Sequence, residues 1–169
     1  FNSLVAYIAI GVFLLVLGLL LWVFPDTSIL ANGYATLENL FGTAPYLFML
    51  LIPAITMRSV AEERREGTME LLATRPLTHL QILMGKYWAG LAVVVLTLLP
   101  TLIYYYSVYI LANPPGNVDT GAVIGSYIGL LLLGAVFTAI GIFTSATSKN
   151  QIMAFLTAVF LCYFFFTGF

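Results

Sequence analysis

The sequence predicts an all-α protein, a polytopic bundle of transmembrane helices, on the basis of its composition and the placement of its charges. Of the 169 residues, 62% are hydrophobic and 8% are charged, whereas about 25% of a typical soluble domain is charged. Because about 18 or more apolar residues can cross a bilayer as a helix, the sequence predicts five spans and excludes an ordinary soluble domain and disorder. Five runs contain no Asp, Glu, Lys or Arg: residues 1–25, 39–57, 87–118, 120–148 and 150–169.

The first two predicted spans cover residues 3–24 and 40–57, joined by the polar segment 25–39. No basic region precedes the first apolar run, which is also longer than a signal-peptide core, so we interpret it as a span. Pro53 lies inside the second span and removes one backbone donor, which predicts a kink there.

The other three predicted spans cover residues 87–111, 121–144 and 152–169. Pro100 interrupts the third span, where neighbouring threonines can bond the disturbed backbone. The segment 113–117 (NPPGN) is a turn-forming cluster that ends this helix.

All six basic side chains fall on one side of the membrane if the spans alternate in direction. The positive-inside rule makes that side cytoplasmic and predicts a multi-pass membrane protein. Nine charged residues lie between Arg58 and Lys86, and we call residues 58–86 the charged segment.

No catalytic, cofactor-binding or metal-ligating constellation is apparent in the sequence. A P-loop is absent, because Leu80 and Tyr87 occupy the positions of its first glycine and its Ser or Thr around Gly85 and Lys86. His79 is the only histidine, and the spans contain no ionisable Asp, Glu, Lys or Arg to couple an ion. We therefore expect a protein that is not an enzyme, with no cofactor and no nucleic-acid partner, surrounded by membrane lipids.

The charged segment contains several helix-boundary signals. Gly67 suits a helix end, Thr68 can cap a short helix, and Pro76 limits that helix. Thr78 and Gln81 have the spacing of a capping box, which predicts the start of the helix that enters the third span.

The short helix would present apolar side chains among charges of both signs. Such a surface suits a groove on another protein, although a solvated loop that merely obeys the positive-inside rule would look similar. We call the candidate partner-binding residues the docking residues: Glu62, Glu63, Arg65, Glu66, Gly67, Thr68, Met69, Glu70, Leu71, Leu72, Arg75 and Pro76.

Residues 62–77 (EERREGTMELLATRPL), followed by Gly85 and Lys86, resemble the cytoplasmic signature of ABC-2 type permeases, the membrane subunits of ATP-binding-cassette exporters. Residues 21–24, 113–117 and 150–169 resemble the gliding-motility-associated branch of this family found in Bacteroidetes.

The resemblance implies a six-span permease that pairs with a second permease subunit, as a homodimer or heterodimer, above two nucleotide-binding ATPase subunits. It places a coupling helix for the ATPase at residues 66–76 and transport as the function. The chain starts without an initiator Met and ends inside an apolar run, so we expect a longer protein with a preceding amphipathic helix and a sixth span. The rival interpretations are a scaffold that recruits a cytoplasmic partner without transport, and a channel gated by its own subunits.

Two intramembrane patterns remain open. Gly121, Gly125 and Gly129 recur every four residues, which permits close helix packing, either inside the bundle or against a second subunit. Four tyrosines of the third span could line a pathway or form an outer aromatic belt: Tyr104, Tyr105, Tyr106 and Tyr109.

Overall fold

A computed structural model describes residues 4–24, 37–58, 60, 78–112, 118–148 and 150–168. Within these residues the regular structure is entirely helical, which confirms the all-α prediction. A 3₁₀ turn, Leu99–Thr101, joins the third and fourth helices. The α-helices are α1 (Leu4–Trp22), α2 (Glu38–Thr56), α3 (His79–Leu98), α4 (Leu102–Leu111), α5 (Thr120–Thr147) and α6 (Gln151–Thr167).

Length and hydropathy identify the helices that suit a membrane. Glu38–Thr56, Leu80–Leu111 and Thr120–Thr147 are long and apolar enough to cross it, and Ala6–Trp22 and Gln151–Thr167 are shorter apolar helices. Their large apolar side chains face outward, as for Leu132 at 62% and Phe160 at 66% exposure. Such a surface suits hydrocarbon and would be unstable in water, so the chain is a multi-pass membrane protein.

Two helices extend beyond the membrane spans predicted for them. α3 begins at His79, eight residues before the predicted start of the third span at residue 87. α5 continues to Thr147, beyond the predicted end at residue 144. The α5 extension consists of small or polar residues, whereas the α3 extension, HLQILMGK, mixes apolar with polar and charged residues. In both cases the predicted membrane span is shorter than the helix.

Pro100 is accommodated by the short 3₁₀ turn. The Thr101 hydroxyl donates to the Leu98 carbonyl over 2.6 Å, and its Oγ1 lies 3.0 Å from the Tyr127 hydroxyl. The predicted role of a threonine in bonding the disturbed backbone is therefore confirmed for Thr101.

The first of two compact units comprises Phe1–Leu47 and Val95–Leu133. The Tyr104 hydroxyl donates to the Leu14 carbonyl over 3.2 Å, which attaches α4 to α1. This tyrosine thus serves helix packing, whereas Tyr106 is 64% exposed. Buried residues recur every four positions along one face of α1, at Phe13, Leu17 and Leu21.

The second unit comprises Phe48–Val94 and Gly134–Phe169. Large side chains of α2 and α5 and small side chains of α6 are buried in this unit. The core includes Phe48, Ile52, Phe137, Ala154, Ala158 and Cys162. Cys162 is a free, buried thiol, in agreement with its predicted role as a small apolar core residue.

Candidate coupling site

The docking residues, numbered 62–76, lie outside the described part of the chain. The structure describes both flanks of the charged segment: Met57, Arg58 and Val60 on one side, and Thr78 onward on the other. The candidate site is therefore built from these flanks and from the helices that hold them.

Ser145 of α5 fixes the end of α2. Its hydroxyl donates to the Met57 carbonyl over 3.0 Å, and its Oγ accepts the Val60 N–H over 3.1 Å. Ser145 is 0% and Val60 4% exposed, so both bonds form away from solvent. One side chain of α5 thus holds two backbone groups at the point where the charged segment leaves α2.

At Gly141, one turn before this bridge, α5 closely approaches the Thr56 side chain of α2. A Cβ atom at Gly141 would overlap Thr56, at 2.9 Å from Thr56 Cβ. The Thr56 hydroxyl donates to the Ile52 carbonyl over 2.9 Å, so its polarity is satisfied within α2. Only glycine at position 141 permits this approach.

The far flank begins with a capping box. The Thr78 N–H donates to Gln81 Oε1 over 3.0 Å, and the Gln81 N–H donates to Thr78 Oγ1 over 3.4 Å. These reciprocal bonds satisfy two backbone donors at the start of α3. The predicted capping box is confirmed.

α3 also packs against α5, again through small residues. A Cβ atom at Gly90 would lie 2.6 Å from Thr138 Cγ2, and one at Gly134 would lie 2.6 Å from Val94 Cγ1. The Thr138 hydroxyl donates to the Gly134 carbonyl over 2.7 Å and needs no other partner. Both helices that flank the charged segment therefore attach to one support, α5.

The supporting face of α5 follows helical spacing. Its small residues recur at intervals of four, three and four positions and are all buried: Gly134, Thr138, Gly141 and Ser145. The Thr138 hydroxyl is bonded within α5, whereas the Ser145 hydroxyl bonds to the segment that follows α2. Both flanks of the charged segment therefore contact this face of α5.

Comparison with known families agrees with this architecture. The sequence model described as ABC-2 family transporter protein matches residues 25–169. The chain belongs to the ABC-2 transporter family. No curated protein and no solved structure shows significant similarity to it. As a member of this family, it is a membrane permease component of an ABC exporter, a class of component that is typically not catalytic.

The predicted glycine face of this ABC-2 permease is uncovered in the described structure. Gly121, Gly125 and Gly129 are exposed, and a Cβ atom at Gly125 or Gly129 would meet nothing within 4 Å. Packing inside the bundle is thus not seen for these two residues. The close approaches occur instead at Gly90, Gly134 and Gly141, which spacing alone did not single out.

The described part of the permease offers no site for metal chemistry. Among these residues, no three His, Cys, Asp or Glu side chains form a group that could hold a metal ion. What the site provides is mechanical attachment of the charged segment to α5.

Proposed function

We propose that the docking residues bind a separate nucleotide-binding ATPase and that this ABC-2 permease couples ATP hydrolysis in that subunit to export. The observation that carries the proposal is the Ser145 bridge to Met57 and Val60. It ties the start of the charged segment to α5, the helix against which α3 also packs.

The mechanism is a rigid-body displacement. When the ATPase changes conformation, the docked segment moves, and its two flanks pull on the end of α2 and the start of α3. Because side chains of both flanking helices pack closely with α5 at Gly90, Gly134 and Gly141, we expect the flanks to move together with it. The ATPase supplies the energy, and the permease converts it into rearrangement of its helices.

The charge pattern supports docking as well. Met69, Leu71 and Leu72 stand among acidic and basic residues in the sequence. Apolar anchors ringed by charge combine affinity with a defined orientation on a partner.

Substitution of the docking residues tests the proposal. Leu72→Asp and Glu66→Arg should each lower co-purification of the partner ATPase about tenfold, as expected for central interface residues. Both variants should insert normally into the membrane. Export should fall in parallel.

A matched control is Leu80→Asp, the same change at a leucine that is 67% exposed and lies outside the docking residues. It should retain the ATPase. Undiminished co-purification of the ATPase with both docking variants would refute the docking role. If the wild-type permease bound the ATPase but exported nothing, the scaffold interpretation would be favoured.

We further propose that a second permease subunit, identical or different, packs on the face formed by Gly121, Gly125 and Gly129. Support comes from their exposure and from the open space at Gly125 and Gly129, since small residues allow two helices to approach closely.

The proposed location is the bacterial inner membrane, with the charged segment in the cytoplasm. Five of the six Lys and Arg residues lie in this segment, and the sixth, Lys149, falls on the same side of the membrane if the spans alternate. A role in gliding motility is proposed on the resemblance of residues 21–24, 113–117 and 150–169 to that branch of the family.

A further inference from the structure

A cavity of about 420 Å³ lies between the first turns of α2 and α5, within the first unit. Its volume falls within the range of small-molecule sites, which is about 300–1,000 Å³. Glu38, Phe41 and Gly42 line it from α2, and Asp119, Ala122 and Ser126 line it from the α5 end. The cavity is therefore mostly apolar with two carboxylates at its wall.

The carboxylates belong to exposed residues and have no basic partner in this unit. Residues 1–57 and 87–148 contain no Lys, Arg or His anywhere in the sequence. Asp119 Oδ1 accepts the Ala122 N–H over 3.2 Å, which holds this carboxylate at the start of α5. Two negative charges thus face a cavity with no cation from the same unit to neutralise them.

The apolar wall is also fixed. The ring of Phe41 packs edge-on against Tyr127, with ring centroids 5.1 Å apart. Leu37 and Val123, which also line the cavity, are 3% and 8% exposed. Carboxylates attract an ammonium group, and an apolar wall with an aromatic ring suits a hydrocarbon chain, so this lining favours a ligand that combines the two.

We propose that this cavity binds a single-chain amphiphile with a positively charged amine head group. The amine lies between Glu38 and Asp119, and the hydrocarbon chain lies along Phe41 and Ala122. An anionic or phosphate-bearing head group would meet two carboxylates without a compensating cation and is disfavoured. Binding requires no ATPase, so this site is independent of the proposed coupling.

Binding of tritiated dodecylamine to the purified protein in a non-ionic detergent tests the proposal. Saturable binding is expected, with competition by unlabelled dodecylamine and none by dodecanoate, which has the same chain length and the opposite charge. The double variant Glu38→Gln/Asp119→Asn should bind about tenfold more weakly, because two ion pairs are lost. Asn preserves the helix cap, so the fold should be retained.

A second variant tests the cavity itself. A Cβ atom at Gly42 meets nothing within 4 Å, so Gly42→Leu can fill the space without disturbing the helix, and it should weaken dodecylamine binding. Gly11→Leu is the matched control in the same unit, since its Cβ atom also meets nothing and Gly11 does not line the cavity. It should bind as the wild type does.

Three results would overturn the proposal. They are equal affinity in the wild type and the double variant, equal competition by dodecanoate, and no saturable binding to the wild type.

Discussion

Leucine at position 141 is expected to lower the free energy of unfolding by about 3 kcal/mol, the upper end for overpacking of a dense interior. Gly141 is buried against Thr56, and a Cβ atom there already lies 2.9 Å from Thr56 Cβ and 3.3 Å from Thr56 Cγ2. To accommodate Gly141→Leu, α2 and α5 must separate. Thermal unfolding in detergent, followed by intrinsic tryptophan fluorescence, measures this loss.

Gly85→Leu is the matched control for this prediction. Gly85 belongs to the same compact unit and is exposed, and its Cβ atom would meet nothing within 4 Å. The control should change the free energy of unfolding by only about 0.5 kcal/mol, as surface substitutions do. Equal destabilisation by the two variants would show that the close approach at Gly141 does not stabilise the fold.

Ser145→Ala is expected to uncouple export from ATP hydrolysis while leaving the ATPase bound. The change removes the acceptor of the buried Val60 N–H and the donor to the Met57 carbonyl. Loss of a partner for a buried backbone group costs about 1–3 kcal/mol. The end of α2 is then no longer held to α5, and we expect export per ATP hydrolysed to fall about tenfold, the factor that corresponds to about 1.4 kcal/mol.

The neighbouring residue provides the control. Thr144 is 4% exposed, and its hydroxyl donates to the Gly141 carbonyl of its own helix over 3.0 Å. Thr144→Val removes this hydroxyl at nearly constant volume and leaves both bonds of Ser145 in place, so the coupling ratio should be retained. Equal coupling ratios in Ser145→Ala and Thr144→Val, measured in reconstituted vesicles, would contradict the role of the bridge.

Helix order and helix starts are largely predictable from this sequence, because they depend on residues that are neighbours in the chain. The capping box of Thr78 and Gln81 is local, and it begins α3 as predicted. Asn150 caps α6 in a similar way, with its Oδ1 accepting the Ile152 N–H over 3.2 Å, although the apolar pattern placed the span at residue 152. An apolar run marks the membrane part of a helix and not its polar ends.

The packing face of α5 is not predictable from spacing alone. Two sets of small residues recur on this helix, one at Gly121, Gly125 and Gly129 and one that includes Gly134 and Gly141. Spacing shows where another helix can approach, whereas the tertiary structure decides which face it meets. The Ser145 bridge joins Ser145 to Val60 and Met57, which lie 85 and 88 positions earlier in the chain. No local sequence pattern predicts contacts over such separations.

The cavity likewise depends on tertiary structure. Glu38 and Asp119 stand at the starts of different helices, and the sequence marks each only as an isolated acidic residue near a span. They line one cavity because the first turns of α2 and α5 lie side by side within one unit.

Site-specific photo-cross-linking tests the central claim most directly, that the docking residues contact the ATPase. A benzophenone amino acid at position 72 should cross-link to the ATPase in intact membranes, and the same amino acid at Leu132, whose side chain is 62% exposed on α5, should not. A covalent product of permease and ATPase is expected from position 72 and none from position 132. An intact, co-purifying complex that gives no such product from positions 69, 71 or 72 would contradict it.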